Sequence, residues 1–392
     1  MTKRKAPNGS GTIIKRKDGR YEGKVIVGHD PMTGRTIRRS VYAKTQEECA
    51  RKIRSITASV DNGTYIEPSK YTFGQWMDIW WNEYLPNVKP TTREQYAAHI
   101  RNHVKPYLGN VKLSALRPDM IQRLYNRLLK TDAHPEGLSA KSIKNLHGII
   151  HKALKQAALL GYLPHNPAQA CVLPRIEKKE VQFLEEGDIG NLLMAIRGDP
   201  YEYIYTVDVF TGLRQGEILG LTWDCVDFSK GVLTIDKQLQ KEPQKGGRYM
   251  LVSCKTDRVR RILATPYVMG ILKKQQQKQR SERLLAGSMW SNDWNLVFTN
   301  ALGGHLCIVT VYNHFKRIVR SLGLPKVRFH DMRHTYAVLS LQNGDDIKTV
   351  QSNVGHATAS FTLDVYGHVS QKMQQDSADR MQSFIEGLTA AR

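Results

Sequence analysis

The chain has 392 residues, 41% of them apolar, and its 58 Lys and Arg residues outnumber 36 Asp and Glu residues to give a formal charge of +22. This length predicts two or three domains, and no apolar run approaches the ~20 residues of a membrane span. The charge indicates a polyanionic partner. Nucleic acid is favoured over an anionic membrane surface, because the sequence shows no strongly amphipathic basic helix.

The N-terminus and the cysteines indicate the cellular compartment. The basic N-terminus is not followed by an apolar segment, which argues against a secretory signal. Five scattered cysteines without a C-x-x-C pair argue against a disulfide framework or a zinc ribbon. We therefore expect a cytoplasmic, nucleoid-associated protein with reduced thiols.

The N-terminal segment predicts a small sheet followed by a helix. Residues 1–60 contain fifteen Lys and Arg residues against five acids. Turn sequences at residues 18–19 and 33–34 separate three strand-like runs, and Thr45 with Glu48 three residues later marks a helix start. The predicted strands cover residues 12–17, 21–27 and 36–43.

Basic side chains alternate along these strands. Lys15, Lys17 and Arg38 suggest a sheet face that enters a DNA groove, with a solvated basic face as the alternative. We interpret residues 1–65 as a DNA-binding domain.

Residues 70–175 are predicted to be all-helical. The start signals are two capping boxes and a proline at a first helical position: Thr72 with Gln75, Thr91 with Glu94, and Pro118. The predicted helices cover residues 72–84, 91–105, 118–130 and 140–160. On the first of them, four aromatic residues spaced three or four apart predict core packing, not base stacking: Phe73, Trp76, Trp80 and Tyr84.

The pattern becomes mixed after a charged, proline-containing stretch at residues 173–182, which predicts an interdomain linker. In residues 183–392, helices alternate with a β stretch at 231–264 and dominate from residue 308 onward. The sequence therefore predicts a multidomain α+β protein. Its parts are a three-stranded sheet plus helix, a four-helix domain, and a mainly helical domain with a small antiparallel sheet.

The stretch TGLRQGEILGL places an arginine at a helix start. An apolar helix is predicted to end at Phe210, and Arg214 lies where the next helix begins. Arginine binds phosphate in a bidentate fork, so Arg214 could bind a phosphate there. Glu217 would face the same side and could orient a neighbouring cation. Alone the motif is weak, since Arg–Glu pairs on helices are common.

Lys255 lies in a predicted turn between a strand ending near Ser253 and another beginning near Arg260. A lysine at a hairpin tip is usually solvated. If the tip bends over a phosphate, the lysine can protonate a leaving oxygen.

The stretch RFHDMRHTYA puts His330, Arg333 and His334 on one face at the opening of a helix. A zinc site is disfavoured, because the H-E-x-x-H pattern is absent and no cysteine is near. A phosphate clamp fits better, with His330 donating to one oxygen, Arg333 to two, and His334 in a structural role.

The stretch VGHATASFTLDVYGHV adds His356, directly after a helix that ends at Gly355, and Tyr366 ten residues later. Cationic donors stabilise the charge that develops during phosphodiester cleavage. A tyrosine hydroxyl can then attack phosphorus and hold the cut strand covalently. This chemistry requires neither a metal nor a nucleotide, so we expect no cofactor and no metal site.

With these residues the chain resembles the tyrosine recombinase (phage integrase) family, especially integrases of conjugative transposons and related phages. The family's ordered set is an arginine in a T-G-x-R-x-x-E turn, a hairpin lysine, H-x-x-R, G-H and a tyrosine. Its members here are Arg214, Lys255, His330, Arg333, His356 and Tyr366. The likeness implies that residues 1–65 bind arm sites, residues 70–175 bind core sites, and residues 183–392 are catalytic.

The resemblance also implies the role of each residue. Tyr366 would form a 3′-phosphotyrosyl link, Arg214 and Arg333 would bind the non-bridging oxygens, and His330 and His356 would support them. Lys255 would protonate the 5′-oxygen, with Lys245 and Arg258 as open alternatives because hairpin length varies. Glu217 would organise Arg214.

The family implies double-stranded DNA and three further copies of the chain as partners, in a homotetramer, with an excisionase and a host DNA-bending protein as accessories. A C-terminal apolar stripe would dock on a neighbouring protomer or pack on its own domain: Ala378, Met381, Ile385 and Leu388. The rival functions are a type IB topoisomerase, a non-enzymatic DNA-binding regulator and a metal enzyme.

Overall fold

A computed structural model describes residues 12–29, 32–63, 65, 70–132, 134–177, 182–242, 247–254, 259–355 and 370–390. The chain forms two compact units, Met1–Glu177 and Lys178–Arg392. The architecture is α+β, as predicted. No helix among the described residues is both long and apolar enough to cross a membrane.

The N-terminal part is a three-stranded antiparallel sheet in the order β1-β2-β3 followed by helix α1. The elements are β1 (Thr12–Lys15), β2 (Tyr21–His29), β3 (Thr36–Ala43) and α1 (Gln46–Asp61). The predicted strands and the Thr45 cap are confirmed, since the Thr45 side chain accepts a hydrogen bond from the Glu48 amide at 3.2 Å. The helix packs closely on β2, where a Cβ at Gly23 would lie 2.4 Å from Ile53 Cδ1.

The sheet register separates the basic residues that were expected to share one face. Lys15 pairs with Tyr21, whereas Arg38 pairs with Ile26, five residues farther along β2. Because successive side chains alternate between faces, Lys15 and Arg38 lie on opposite sides. Lys17 follows β1 in a turn. The interpretation of these three residues as one basic face is therefore wrong, and their contact with DNA stays a prediction.

The rest of the first unit is helical around a core that includes Phe73, Trp76 and Trp80. Tyr84 is 36% exposed and only borders this core. The helices are α2 (Phe73–Glu83), α3 (Pro90–His99), a π-helical turn (Ile100–Val104), α4 (Lys105–Leu108), α5 (Pro118–Leu128) and α6 (Ala140–Leu159).

The predicted helix starts are confirmed at two of three positions. Thr72 and Gln75 form the capping box, and Pro118 occupies the first helical position. The box at Thr91 is wrong, because α3 begins at Pro90 and its cap, Lys89, makes no side-chain capping bond. The backbone of proline is already suited to the first helical position, so α3 begins at Pro90, one residue before Thr91.

The second unit combines two small sheets with helices around one large apolar core. Its strands are β4 (Val226–Asp227), β5 (Val232–Ile235), β6 (Lys237–Lys241), β7 (Tyr249–Ser253) and β8 (Arg260–Leu263). Its helices are α7 (Glu186–Ala195), α8 (Glu202–Thr211), α9 (Gln215–Leu219), α10 (Pro266–Ala286), α11 (Ile308–Ser321), α12 (Phe329–Gln342), α13 (Ile347–Val354) and α14 (Ser370–Ala390).

The strands on either side of Lys255 do not form the expected hairpin. Strand β7 pairs with β6, whereas β8 pairs with β5 in a separate sheet, β4-β5-β8. The segment between Ser253 and Arg260 therefore connects two sheets, and Lys255 itself lies outside the described residues.

Candidate active site

Arg214 lies where the sequence predicts it, between two helices that meet at a sharp turn. Helix α8 ends at Thr211, and Gly212 follows with φ +61°, a left-handed conformation that favours glycine. A Cβ at Gly212 would also approach Tyr336 Cδ1 to 2.6 Å. Arg214 then caps α9, and its side chain is 24% exposed. The turn thus presents a partly accessible guanidinium.

Glu217 is buried and holds two arginines. Its carboxylate accepts a hydrogen bond from Arg214 Nη1 at 2.7 Å and two from Arg260, at 3.0 Å from Nη1 and 2.6 Å from Nη2. Burial alone raises the pKa of Glu217, but the hydrogen bonds and charge of Arg260, together with Arg214, outweigh it and lower the pKa to about 2. Glu217 is therefore ionised at neutral pH.

Arg333 projects from α12 into the interior and is 1% exposed. Its Nη1 donates to the Gly212 carbonyl at 2.8 Å, and its Nη2 donates to the Val354 carbonyl at the end of α13. Arg214 Nη2 donates to the next carbonyl, that of Gly355, at 3.0 Å. The two arginines therefore converge on the same end of α13, although they lie far apart in the sequence.

The first turn of α12 is fixed by hydrogen bonds from Arg328 to Asp331. The Arg328 amide donates to Asp331 Oδ2 at 2.7 Å, and its guanidinium bonds both oxygens of this fully buried carboxylate. Sequence reasoning missed this pair, because arginine is not among the residues that mark a helix start. The ion pair orients the turn that carries His330 and Arg333.

His330 and His334 lie side by side on α12, with ring centroids 5.0 Å apart. Burial lowers the pKa of His334 to about 4, and burial followed by the charge of Arg333 lowers the pKa of His330. The surrounding protein desolvates both rings, but His334 is 9% exposed, whereas the His330 side chain still reaches solvent. At neutral pH His334 is an uncharged packing residue, and a histidine with a lowered pKa at position 330 can donate one N–H to a ligand.

A buried carboxyl group, Asp208, lies behind these arginines. It is fully buried, and neither carboxyl oxygen has a hydrogen-bond partner among the residues that the structure describes. Burial raises its pKa well above the usual value, while the charge of Arg333 opposes this shift and that of Glu217 adds to it. The described residues contain no group of three His, Cys, Asp or Glu side chains that could hold a metal ion.

Three of the predicted site residues, Lys255, His356 and Tyr366, lie outside the described residues. Two of their neighbours interact with the arginine cluster, which consists of Arg214, Arg260, Arg333 and the carboxylate of Glu217. Gly355 accepts from Arg214, as described above. The buried thiol of Cys254 has its pKa raised to about 11, first by burial and then by the charge of Glu217, with Arg260 opposing. The residues directly before Lys255 and His356 therefore interact with the arginine cluster, Cys254 through electrostatics and Gly355 through a hydrogen bond.

Comparison with known proteins identifies relatives across most of the chain. Residues 183–373 match the model of the phage integrase family, and residues 72–129 match its N-terminal SAM-like domain. A protein named tyrosine recombinase XerC-like, from Caldanaerobacter subterraneus subsp. tengcongensis, is 31% identical over 382 residues, which cover 93% of this chain and 96% of that protein.

Solved structures share the fold. The Tn1549 transposon integrase in complex with a circular intermediate DNA superposes with a TM-score of 0.67 at 22% identity, over 79% of this chain and all of that one. A lambda integrase tetramer bound to a Holliday junction gives a TM-score of 0.54 at 18% identity, over 91% of this chain and 97% of that one.

Proposed function

This chain belongs to the phage integrase family of tyrosine recombinases, and we infer that it is a site-specific DNA recombinase that integrates and excises a mobile element. The observation that carries this inference is the convergence of Arg214 and Arg333 on one end of α13. A guanidinium has five N–H donors, and the Arg214 side chain makes two hydrogen bonds to described residues, so further donors can serve a phosphate oxygen.

Cleavage would proceed by transesterification. The Tyr366 hydroxyl attacks the scissile phosphorus and loses its proton to solvent, a 3′-phosphotyrosyl bond forms, and the bond to the 5′-oxygen breaks. Arg214 and Arg333 stabilise the charge on the non-bridging oxygens, with His330 and His356 as further donors. Lys255 protonates the 5′-oxygen. The covalent ester conserves the bond energy, so a 5′-hydroxyl of the partner duplex can reverse the attack.

Family membership and the separate hydrophobic cores support the proposed domain roles. Residues 1–65 would bind arm sites through the three-stranded sheet, residues 70–175 would bind the core site, and residues 183–392 would carry the chemistry. The N-terminal sheet has its own small core with Val25, Val41 and Ile53. An excisionase and a host DNA-bending protein would assist, and the protein would associate with the nucleoid.

Four copies of the chain would act on two duplexes. Helix α14 is suited to join them, because four apolar side chains on it are 46–62% exposed within the single chain: Met381, Phe384, Ile385 and Leu388. These residues follow the i, i+3, i+4, i+7 pattern, which is typical of a helix face that packs on a partner. We propose that this face docks on a neighbouring protomer in the assembly on DNA.

The recombinase function is tested with DNA that carries the attachment site of the element. On a nicked suicide substrate we expect an SDS-resistant protein–DNA adduct, undiminished by excess EDTA, and with two duplexes we expect joined recombinants. Relaxation of supercoiled DNA without joining would identify a type IB topoisomerase instead. Absence of any adduct would favour a DNA-binding regulator that has kept the fold.

Deletion of residues 1–65 should remove arm-site binding but leave core-site cleavage intact. The first 60 residues contribute fifteen basic side chains against five acids. The slope of log Kd against log salt should therefore become shallower by about 0.9 for each phosphate that the shortened protein no longer neutralises. Filter binding over a salt series measures this slope, with core-site cleavage as the control. An unchanged slope would contradict the assignment.

A further inference from the structure

Arg260, at the start of β8, makes more polar contacts within the arginine cluster than the sequence indicates. Its side chain is 9% exposed. Both of its terminal nitrogens donate to Glu217, and its Nε donates to the Asn353 carbonyl at 2.9 Å. One side chain thus connects β8, α9 and the end of α13.

The contacts show that Arg260 is the main counter-ion of Glu217. It bonds both carboxylate oxygens, in the fork geometry that makes arginine–carboxylate pairs strong. Arg214 gives the same carboxylate one side-chain bond and keeps its side chain 24% exposed. A buried carboxylate without Arg260 would need another partner, and Arg214 is the nearest cation already bonded to it.

Arg260 also lies against the segment that leads to His356. The Nε bond fixes the Asn353 carbonyl, and the Asn353 side chain donates to the Tyr336 hydroxyl at 3.1 Å. Gly355 has φ +63°, and a Cβ there would lie 3.2 Å from Arg260 Cδ. The Arg260 side chain therefore packs against Gly355, whose carbonyl accepts the hydrogen bond from Arg214.

We propose that Arg260 is a positioning residue for strand cleavage, which neutralises Glu217 so that Arg214 remains available to the scissile phosphate, and which holds the end of α13 in place. This inference rests on the recombinase function proposed above. Arg260 does not itself contact the phosphate. Without Arg260, Glu217 would take a second side-chain hydrogen bond from Arg214, and Arg214 would lose its contact with the DNA phosphate. Arg260 prevents this.

The test compares Arg260→Gln and Arg260→Lys with Arg261→Gln. Arg261 is the neighbouring residue on β8 and is exposed, so its substitution removes the same charge from the opposite face of the strand. We expect Arg260→Gln to slow single-turnover cleavage by about 10- to 100-fold, the loss that is typical when an outer partner that orients a metal-binding side chain is removed. Binding to the core site should change less than twofold, and Arg261→Gln should cleave like the wild type.

The lysine variant and a double variant separate positioning from folding. Lysine keeps the charge but cannot bond both carboxylate oxygens and the Asn353 carbonyl together, so an intermediate rate is expected. Adding Glu217→Gln to Arg260→Gln removes the uncompensated carboxylate and should recover part of the cleavage rate. A purely structural role predicts that cleavage recovers only in parallel with thermal stability, whereas a positioning role predicts recovery of cleavage beyond any recovery of stability.

The outcomes distinguish this inference from the proposed function. If the wild type forms no adduct, the recombinase function itself fails. If the wild type cleaves and Arg260→Gln cleaves at the rate of Arg261→Gln, only the role of Arg260 is overturned. Equal losses of binding, cleavage and thermal stability in both Arg260 variants, without recovery in the double variant, would also overturn it.

Discussion

Replacement of Tyr366 by phenylalanine is expected to abolish the covalent protein–DNA adduct and to reduce strand cleavage by about 10⁴-fold or more. Phenylalanine keeps the ring and removes the hydroxyl, so the substitution removes the nucleophile with little change in side-chain size. No other group of the proposed site can replace it, since the arginines and histidines act as donors to the phosphate. DNA binding should be preserved, because that affinity derives mainly from charge.

The measurement is denaturing electrophoresis of a suicide substrate incubated with each protein. Tyr267→Phe is a suitable control, because Tyr267 lies in the same unit, is 56% exposed and makes a ring contact with Phe210. It should form the adduct at the wild-type rate. An adduct that persists in Tyr366→Phe would assign the nucleophile to another residue and would contradict the proposed chemistry.

Local signals in the sequence predict the Arg214 part of the site. The end of α8, the left-handed Gly212 and the start of α9 depend on residues within one turn of each other. Glu217 is three residues from Arg214, so their contact is set by helix geometry alone. The structural role predicted for His334 is likewise consistent with its burial and its pKa of about 4.

Contacts between distant segments could not be predicted in this way. Arg260 reaches Glu217 only because β8 pairs with β5 and not with β7, and the strand sequences do not specify these partners. The two faces of the N-terminal sheet cannot be assigned from the sequence for a related reason. Counting basic residues along the chain does not establish the pairing register, which places Lys15 and Arg38 on opposite sides.

The buried carboxyl Asp208 illustrates a further limit. Its position on α8 gives no sign of the environment that shifts its pKa. Burial by distant segments raises the pKa most, the charge of Glu217 adds to the rise, and the charge of Arg333 opposes it. A carboxyl group with a raised folded-state pKa contributes its stability below the unfolded pKa and loses it as the pH rises through the folded value. Asp208 therefore opposes folding at neutral pH, where Arg333 is the charge that partly offsets this cost.

Replacement of Arg333 by lysine is expected to slow strand cleavage by about 10²- to 10³-fold, which corresponds to the loss of about 3–4 kcal/mol of transition-state stabilisation. The guanidinium bonds the carbonyls of Gly212 and Val354 with separate nitrogens. A single ammonium group cannot span both carbonyls and still present a paired donor to a phosphate. Lysine preserves the positive charge near Asp208, so the slower cleavage can be attributed to geometry.

Single-turnover cleavage, measured together with core-site affinity and thermal stability, checks this result. Arg320→Lys is the matched control, because Arg320 is an exposed residue of α11 in the same unit. The control should leave all three quantities near wild type, whereas Arg333→Lys should reduce cleavage far more than affinity. A rate within threefold of wild type would mean that position 333 requires only a charge. Because a buried ammonium group at position 333 cannot make the bidentate contact with the phosphate, Arg214 would then be the one arginine that binds the phosphate in this way.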